Sequence, residues 1–326
     1  MTPYKFRRLV AGLTLLATPA FAQSSDDYPS RPIHIIVPTA AAGSIDMLAR
    51  ALGKHLPQTL GRPVIVENRP GAATNIGSDH VAKAPPDGYT LLINGAPLAA
   101  NPWLFKKFPF KPTSDLAPVI EVGEIANVIT VHPQVPAKSL PELIELVRSR
   151  PGDFNYGTTG LGSSGHLAAE LLGQKTGIRL THVTYRGNAQ AATDHIAGIL
   201  QVGFVNLPVA LPFIKDQRIR ALAVTSSKRS KMLPDVPTVA EALQLPDYES
   251  LGWFGLFAPT GTPEAIVERL HDAAQKALDD AAVSSSIRQA GAEPLGGSRQ
   301  QLADRLERET RIAKQLIEFA GAANSQ

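Results

Sequence analysis

One short design occurs twice in this chain and limits what it can fold into. The apolar run Ile33-His-Ile-Ile-Val37 stops at Pro38, and a small-residue loop follows over 39–43. Ser44 then precedes apolar residues at helical spacing, Ile45, Leu48, Ala49, Leu52 and Leu56. This predicts a strand, a tight loop and a helix capped by Ser44. The stretch 154–172 repeats the design: Phe154-Asn-Tyr-Gly157, a Gly/Ser/Thr loop, then a helix starting within 163–166. A helix N-terminus offers free backbone N–H groups and the positive end of its dipole to an anion. Alanine and glycine in the loop let a ligand approach the backbone. An ordinary turn between strand and helix has the same pattern, so the motif by itself leaves both readings open.

The rest of the chain keeps this rhythm. Val64-Ile-Val66 reads as a buried strand, 76–84 as a short helix, and Tyr89-Thr-Leu-Leu-Ile93 as a third strand ending in a small-residue loop, 94–97. Alternating strands and helices predict a doubly wound α/β sheet, whose ligands sit beyond the carboxyl ends of its strands. Residues 116–122 and 127–131 read as two strands with Gly123 between them, a crossover into a second domain. Ser139 ahead of Pro141 marks a helix start. Further strands are expected at 179–184, 202–205 and 219–224, with a short helix at 239–243. Gly252-Trp-Phe-Gly-Leu-Phe257 returns the chain to the first domain, with Trp253 and Phe254 read as core or hinge packing. Thr262-Pro263 reads as a cap and first-turn proline, and Ser298 with Gln301 as a capping box before the last helix. With 326 residues there is room for two domains. We expect 23–124 with 248–326 to form one and 125–247 the other.

The first 22 residues are of another kind. Lys5, Arg7 and Arg8 precede a short apolar core and then Ala20-Phe21-Ala22, the pattern of a secretory signal peptide cleaved after Ala22. The chain has no cysteine, hence neither a disulfide framework nor a lipoprotein anchor. Both features suit a soluble periplasmic protein. The formal net charge of +3 comes from the leader, so the mature chain is close to neutral and lacks a basic tract for nucleic acid.

Most sequence signs of catalysis are missing. Gly160-Leu-Gly-Ser-Ser-Gly165 matches a dinucleotide fingerprint, but the next strand ends in Tyr185-Arg186-Gly187 and not in an acidic residue. We therefore expect no cofactor, and a loop that holds carboxylate oxygens with N–H groups and hydroxyls. There is no GxSxG elbow, no P-loop, and no metal-ligand spacing among the eight histidines. Candidate ligand contacts are Thr39, Ala42, Gly43, Ser44 and Asp46 in the first loop and Gly95 and Ala96 after the third strand. In the second half they are Thr158, Thr159, Gly162, Ser163, His166, Arg186 and Asn206. Asp46 also fits a role complementing its helix dipole and bonding its own loop. His166 fits either a ligand donor or a helix-start contact, and Arg186 either a carboxylate clamp or a surface ion pair.

The chain resembles the Bug-type extracytoplasmic solute receptors, the binding components of tripartite tricarboxylate transporters. The matching segments include Val66-Glu-Asn-Arg-Pro-Gly71, Pro86-Asp-Gly-Tyr-Thr-Leu-Leu92, Val183-Thr-Tyr-Arg-Gly187, Arg220-Ala-Leu-Ala-Val-Thr225 and Pro234-Asp-Val-Pro-Thr238. They run in order over nearly the whole mature chain. The resemblance implies a periplasmic binding protein of type II-like fold, two α/β domains closing on a small carboxylate. It implies loops 39–46 and 157–166 as the grip, and integral membrane permease subunits as partners. Two departures stand out. Ala42-Gly43-Ser44-Ile45-Asp46 replaces a glycine and a hydroxyl of the usual glycine-glycine-serine-threonine-aspartate, and Gly203 stands where an aspartate is common. The expectation is a monomeric, non-catalytic receptor. Its ligand is left open among di- and tricarboxylates, acidic amino acids and aromatic acids. An exported hydrolase and a periplasmic sensory partner are the alternatives.

Overall fold

The computed structural model describes residues 27–185 and 187–326. The signal-peptide reading and Arg186 lie outside the described residues. In chain order the elements are β1 Ile33–Val37, α1 Ser44–Leu60, β2 Val64–Asn68, α2 Asn75–Ala82, β3 Thr90–Gly95, α3 Ala96–Leu104 and α4 Pro112–Asp115. Then come β4 Leu116–Val131, α5 Leu140–Ser149, β5 Asn155–Thr158, α6 Ser164–Thr176, β6 Thr181–Thr184, α7 Asn188–Ile196, β7 Val202–Asn206, α8 Leu207–Lys215 and β8 Arg220–Val224. The last are α9 Val239–Leu243, β9 Leu251–Pro259, α10 Glu264–Asp279, α11 Ala281–Gln289, β10 Glu293–Pro294 and α12 Arg299–Phe319.

The strands lie in the order β2-β1-β3-β9-β4-β7-β5-β6, with β8 and β10 also paired to β4. The β2-β1-β3 and β6-β5-β7 groups are parallel, and every pairing of β4 and β9 is antiparallel. This is a two-lobed α/β architecture with helices on both faces. In the first lobe, α1 and α10 bury Leu48, Leu52, Leu56 and Leu270 against one face of the sheet. Helices α3 and α12 bury Leu98, Leu104, Leu306 and Leu316 against the other. In the second lobe, α5 and α6 pack Leu143 and Leu172 onto Tyr156 and Phe204, and α8 covers Val128 and Val224. Each such leucine, taken fully out of water, contributes about 1.5–3 kcal/mol.

Strand β4 joins the lobes. Its residues 116–126 pair with β9, and from Asn127 onward it pairs with β7 and β8. The two strands expected here are one continuous strand. Register shifts at 118/120 and 121/123 absorb Pro118 and Gly123 as bulges rather than breaks. Gly123 is needed because a Cβ there would stand 2.5 Å from the Glu293 carbonyl oxygen of β10. Thr225 fastens the crossing. Its Oγ1 accepts from the Asn127 N–H at 3.0 Å, and its own N–H donates to the Asn127 carbonyl at 2.9 Å. The Thr225 carbonyl then accepts from Ser250 N at 2.9 Å, just before β9 crosses back.

Local signals set most helix starts. Ser139, Ser163 and Ser298 cap α5, α6 and α12 through their side chains, the last in a full capping box. Two expected caps differ. Gly43, not Ser44, occupies the cap position of α1 and Ser44 is its first residue. Pro263 occupies that of α10, while Thr262 Oγ1 donates to the Pro259 carbonyl. The 94–97 loop does not exist either: β3 runs to Gly95 and α3 begins at Ala96, because Pro97 fits the first helical turn. Trp253 and Phe254 are buried in the core, as expected. The direct β3–α3 junction depends on Gly95, where a Cβ would lie 1.8 Å from the Trp253 carbonyl oxygen. Gly95→Ala is expected to lower unfolding free energy by about 3 kcal/mol or more. A denaturant midpoint unchanged from the parent chain would contradict the pairing described here.

Candidate ligand-binding cleft

The parallel strands β1, β3, β5 and β7 all run into helices, so the N-termini of α1, α3, α6 and α8 gather at the carboxyl ends of both half-sheets. Each end carries backbone N–H groups without helical partners. Their summed dipoles favour a negative charge between the lobes. The lobes meet there: a Cβ on Gly162 would stand 2.8 Å from the Ala100 side chain of α3. A separate cavity of about 320 Å³ is bordered by Ser164, the carboxylates of Glu124, Asp247, Glu249 and Glu309, and Arg305.

The first loop is held by its own carboxylate. Asp46 Oδ2 accepts from the Ala42 N–H and from Arg50 Nε, both at 2.9 Å, and Oδ1 accepts from Asn68 Nδ2 at 2.9 Å. Asn68 Nδ2 also donates to the Thr39 carbonyl at 3.1 Å. Asp46 is only 2% exposed. Burial alone raises its pKa, but the bonds from Arg50, Ala42 and Asn68 outweigh it and hold the carboxyl below the usual range. Of the two roles open to Asp46, these contacts are those of the loop anchor. Ala42 takes φ of +66°, a conformation costing a non-glycine residue about 1–2 kcal/mol. That is the physical reason a glycine is usual at this position. Gly43 offers no side-chain cap, which leaves the first amides of α1 uncapped by a side chain. Thr39 Oγ1 is buried without a hydrogen-bond partner.

The second loop is held by two histidines. Ser163 Oγ donates to the Gly160 carbonyl at 2.8 Å and accepts from the His166 N–H at 3.4 Å. His166 Nδ1 accepts from the Gly162 N–H at 3.4 Å, which makes His166 a helix-start contact. Thr158 Oγ1 accepts from the Gly160 N–H and bonds His182 Nε2 at 2.7 Å. Thr159 is exposed. The His166 and His182 rings stand 4.8 Å apart edge to face. Burial pushes the His166 pKa down to about 3, helped by His182, and pushes His182 down to about 4. Both rings are therefore neutral at pH 7, as acceptance of the Gly162 N–H requires. Two glycines of the fingerprint-like loop have packing reasons, since a Cβ on Gly162 would stand 2.8 Å from Ala100 and one on Gly165 2.6 Å from the Phe204 carbonyl oxygen, while Gly160 takes φ of +130°.

Of the remaining candidates, Gly95 and Ala96 are buried at the β3–α3 junction. Asn206 occupies the cap position of α8, and its Nδ2 donates to Asn127 Oδ1 at 3.0 Å. Sequence reasoning missed several residues here. Ala72, Ala73 and Thr74 form a left-handed run with φ of 45°, 51° and 81°. Buried amides keep it in place: Asn94 donates to Thr74 Oγ1, and Asn101 to the Ala73 carbonyl. Such strain persists only where surrounding contacts over-determine it. His182 and Asn127 were missed because only sheet register brings them to the loops. Among the described residues, no three acidic or histidine side chains converge on a point that could hold a metal ion.

The tripartite tricarboxylate transporter family receptors match residues 48–321 of this sequence. The chain belongs to that family. The receptor is similar to BugT of Bordetella pertussis, with 39% identity over 274 residues, 83% of this chain and 84% of that one. It is also similar to the solved structure of Rpa4515 from R. palustris with adipate, at 36% identity and TM-score 0.81, covering 91% of this chain and 99% of that one. MatC from Rhodopseudomonas palustris with bound malate is 30% identical, TM-score 0.77, covering 89% of this chain and all (100%) of that one. The receptor's departure at Gly203 has a structural reason. A Cβ there would lie 2.5 Å from Thr130 Oγ1 and 2.9 Å from His195 Nε2, and those two atoms bond each other at 2.9 Å.

His195 is 2% exposed, and burial pushes its pKa down to about 4. The receptor thus holds His166, His182 and His195 neutral, while the unfolded chain titrates them near 6.5. Below pH 6.5 the unfolded state binds the extra protons, so stability falls with pH down to the folded-state values. Moving from pH 7 to pH 5 is expected to cost about 2 kcal/mol for each of His166 and His195 and less for the partly buried His182. Urea unfolding at the two pH values measures this, and equal stability at both would refute the neutral assignment.

Proposed function

We propose that this receptor is a periplasmic solute-binding protein that captures a small carboxylate by closing its two lobes and delivers it to integral membrane permease subunits. The observation that carries the reading is the pair of locked loops. Asp46 holds one and the His166–Ser163 contacts hold the other, each at the N-terminus of a helix facing the cleft. Amides fixed in advance bind an anion without the cost of ordering them. In this reading the lobes are 23–124 with 248–326 and 125–247, and they turn about the Asn127–Thr225 crossing. The ligand favours closure because only the closed state lets both loops touch it. The protein is exported with cleavage after Ala22, acts as a monomer and performs no catalysis. The adipate and malate held by the two solved relatives support a diacid as the ligand class.

Thermal unfolding against adipate, malate, citrate, glutamate and benzoate, with NAD as control, tests this. An acid at 100 times its Kd adds about 2.7 kcal/mol of stability, a rise of several degrees. We expect such a rise with at least one acid and none with NAD. A rise with NAD alone, or with nothing, would overturn the reading.

A further inference from the structure

We propose that Asn127 is a ligand contact on the floor of the cleft that selects acids with a second oxygen acceptor; this rests on the receptor reading above. Asn127 stands where β4 leaves β9 for β7 and β8, in register with Asn206, the last residue of β7. It is 1% exposed. Its backbone is fully used, since Thr225 bonds both its N–H and its carbonyl. Its side chain is half used. Oδ1 accepts from Asn206 Nδ2, which fixes the orientation of the amide, and Nδ2 has no protein partner. Folded proteins pair nearly all such buried groups, so an orphan of this kind calls for a ligand or a water.

Thr39 Oγ1, in the loop of the other lobe, is the matching case. It is also buried and unpartnered, and lies 4.0 Å from where a Cβ of Gly43 would stand. In this proposal the ligand presents one oxygen acceptor to Asn127 and another to Thr39. An ammonium group placed at Asn127 would set donor against donor. An aromatic ring there would leave the amide unpaired. The residue therefore favours acids with an oxygen acceptor at each end over aromatic monoacids.

The test is calorimetric titration of the purified chain with adipate, malate, glutamate and benzoate, beside Asn127→Ala and Asn127→Asp. For the parent chain we expect adipate or malate to bind more tightly than benzoate. Asn127→Ala should weaken the diacid about 10–100-fold, and Asn127→Asp should weaken it further by setting carboxylate against carboxylate. In the unmutated protein labelled with ¹⁵N, the Asn127 side-chain amide signals should shift on diacid addition, a readout that needs no variant to fold. If the parent binds a diacid while Asn127→Ala binds it equally well, or the amide signals stay put, the Asn127 assignment fails and the receptor reading stands. Preference for benzoate would overturn the selectivity. If the parent binds none of the four acids, the receptor reading fails first.

Discussion

The architecture depends on one strand that serves two half-sheets. Up to Ala126, β4 bonds β9; from Asn127 it bonds β7 and β8. Because the same backbone belongs to both lobes, neither can drift away from the other, and among the described residues β4 and the start of β9 carry the crossings. Thr225 ties the crossings together by bonding Asn127 on one side and Ser250 on the other. In the receptor reading proposed above, this joint of two strands is the element about which the cleft closes.

The rest of the site follows from strand direction. Parallel strands on either side of the joint deliver their helix N-termini to the same edge, and the chain then spends polar side chains on holding the loops there. Asp46 has charge enough to bind a cation, yet its oxygens are taken by Ala42, Arg50 and Asn68. His166 accepts a loop N–H and stays neutral. In both loops these side chains position the backbone.

Much of this was legible in the sequence because its signals are local. The two strand–loop–helix units and the caps at Ser139 and Ser298 each need only a few neighbouring residues, and they appear where expected, whereas Gly43 takes the cap position expected of Ser44. What was hidden needed distant partners. Gly123 looks like a break between two strands until β9 and β10 pair around it as a bulge. Ala96-Pro97 looks like a loop until the helix it opens is seen. The roles of Asn94 and Asn101 depend on a left-handed turn that no alanine or threonine advertises. Asn127 and His182 enter the site only through the register of their strands with β7 and β5.

The central claim is that a carboxylate closes the two lobes about the β4 crossing. Small-angle X-ray scattering of the chain, alone and saturated with the acid that most raises its unfolding temperature, tests it most directly. The account predicts a smaller radius of gyration with the acid bound. Superimposable scattering curves at saturation would contradict it.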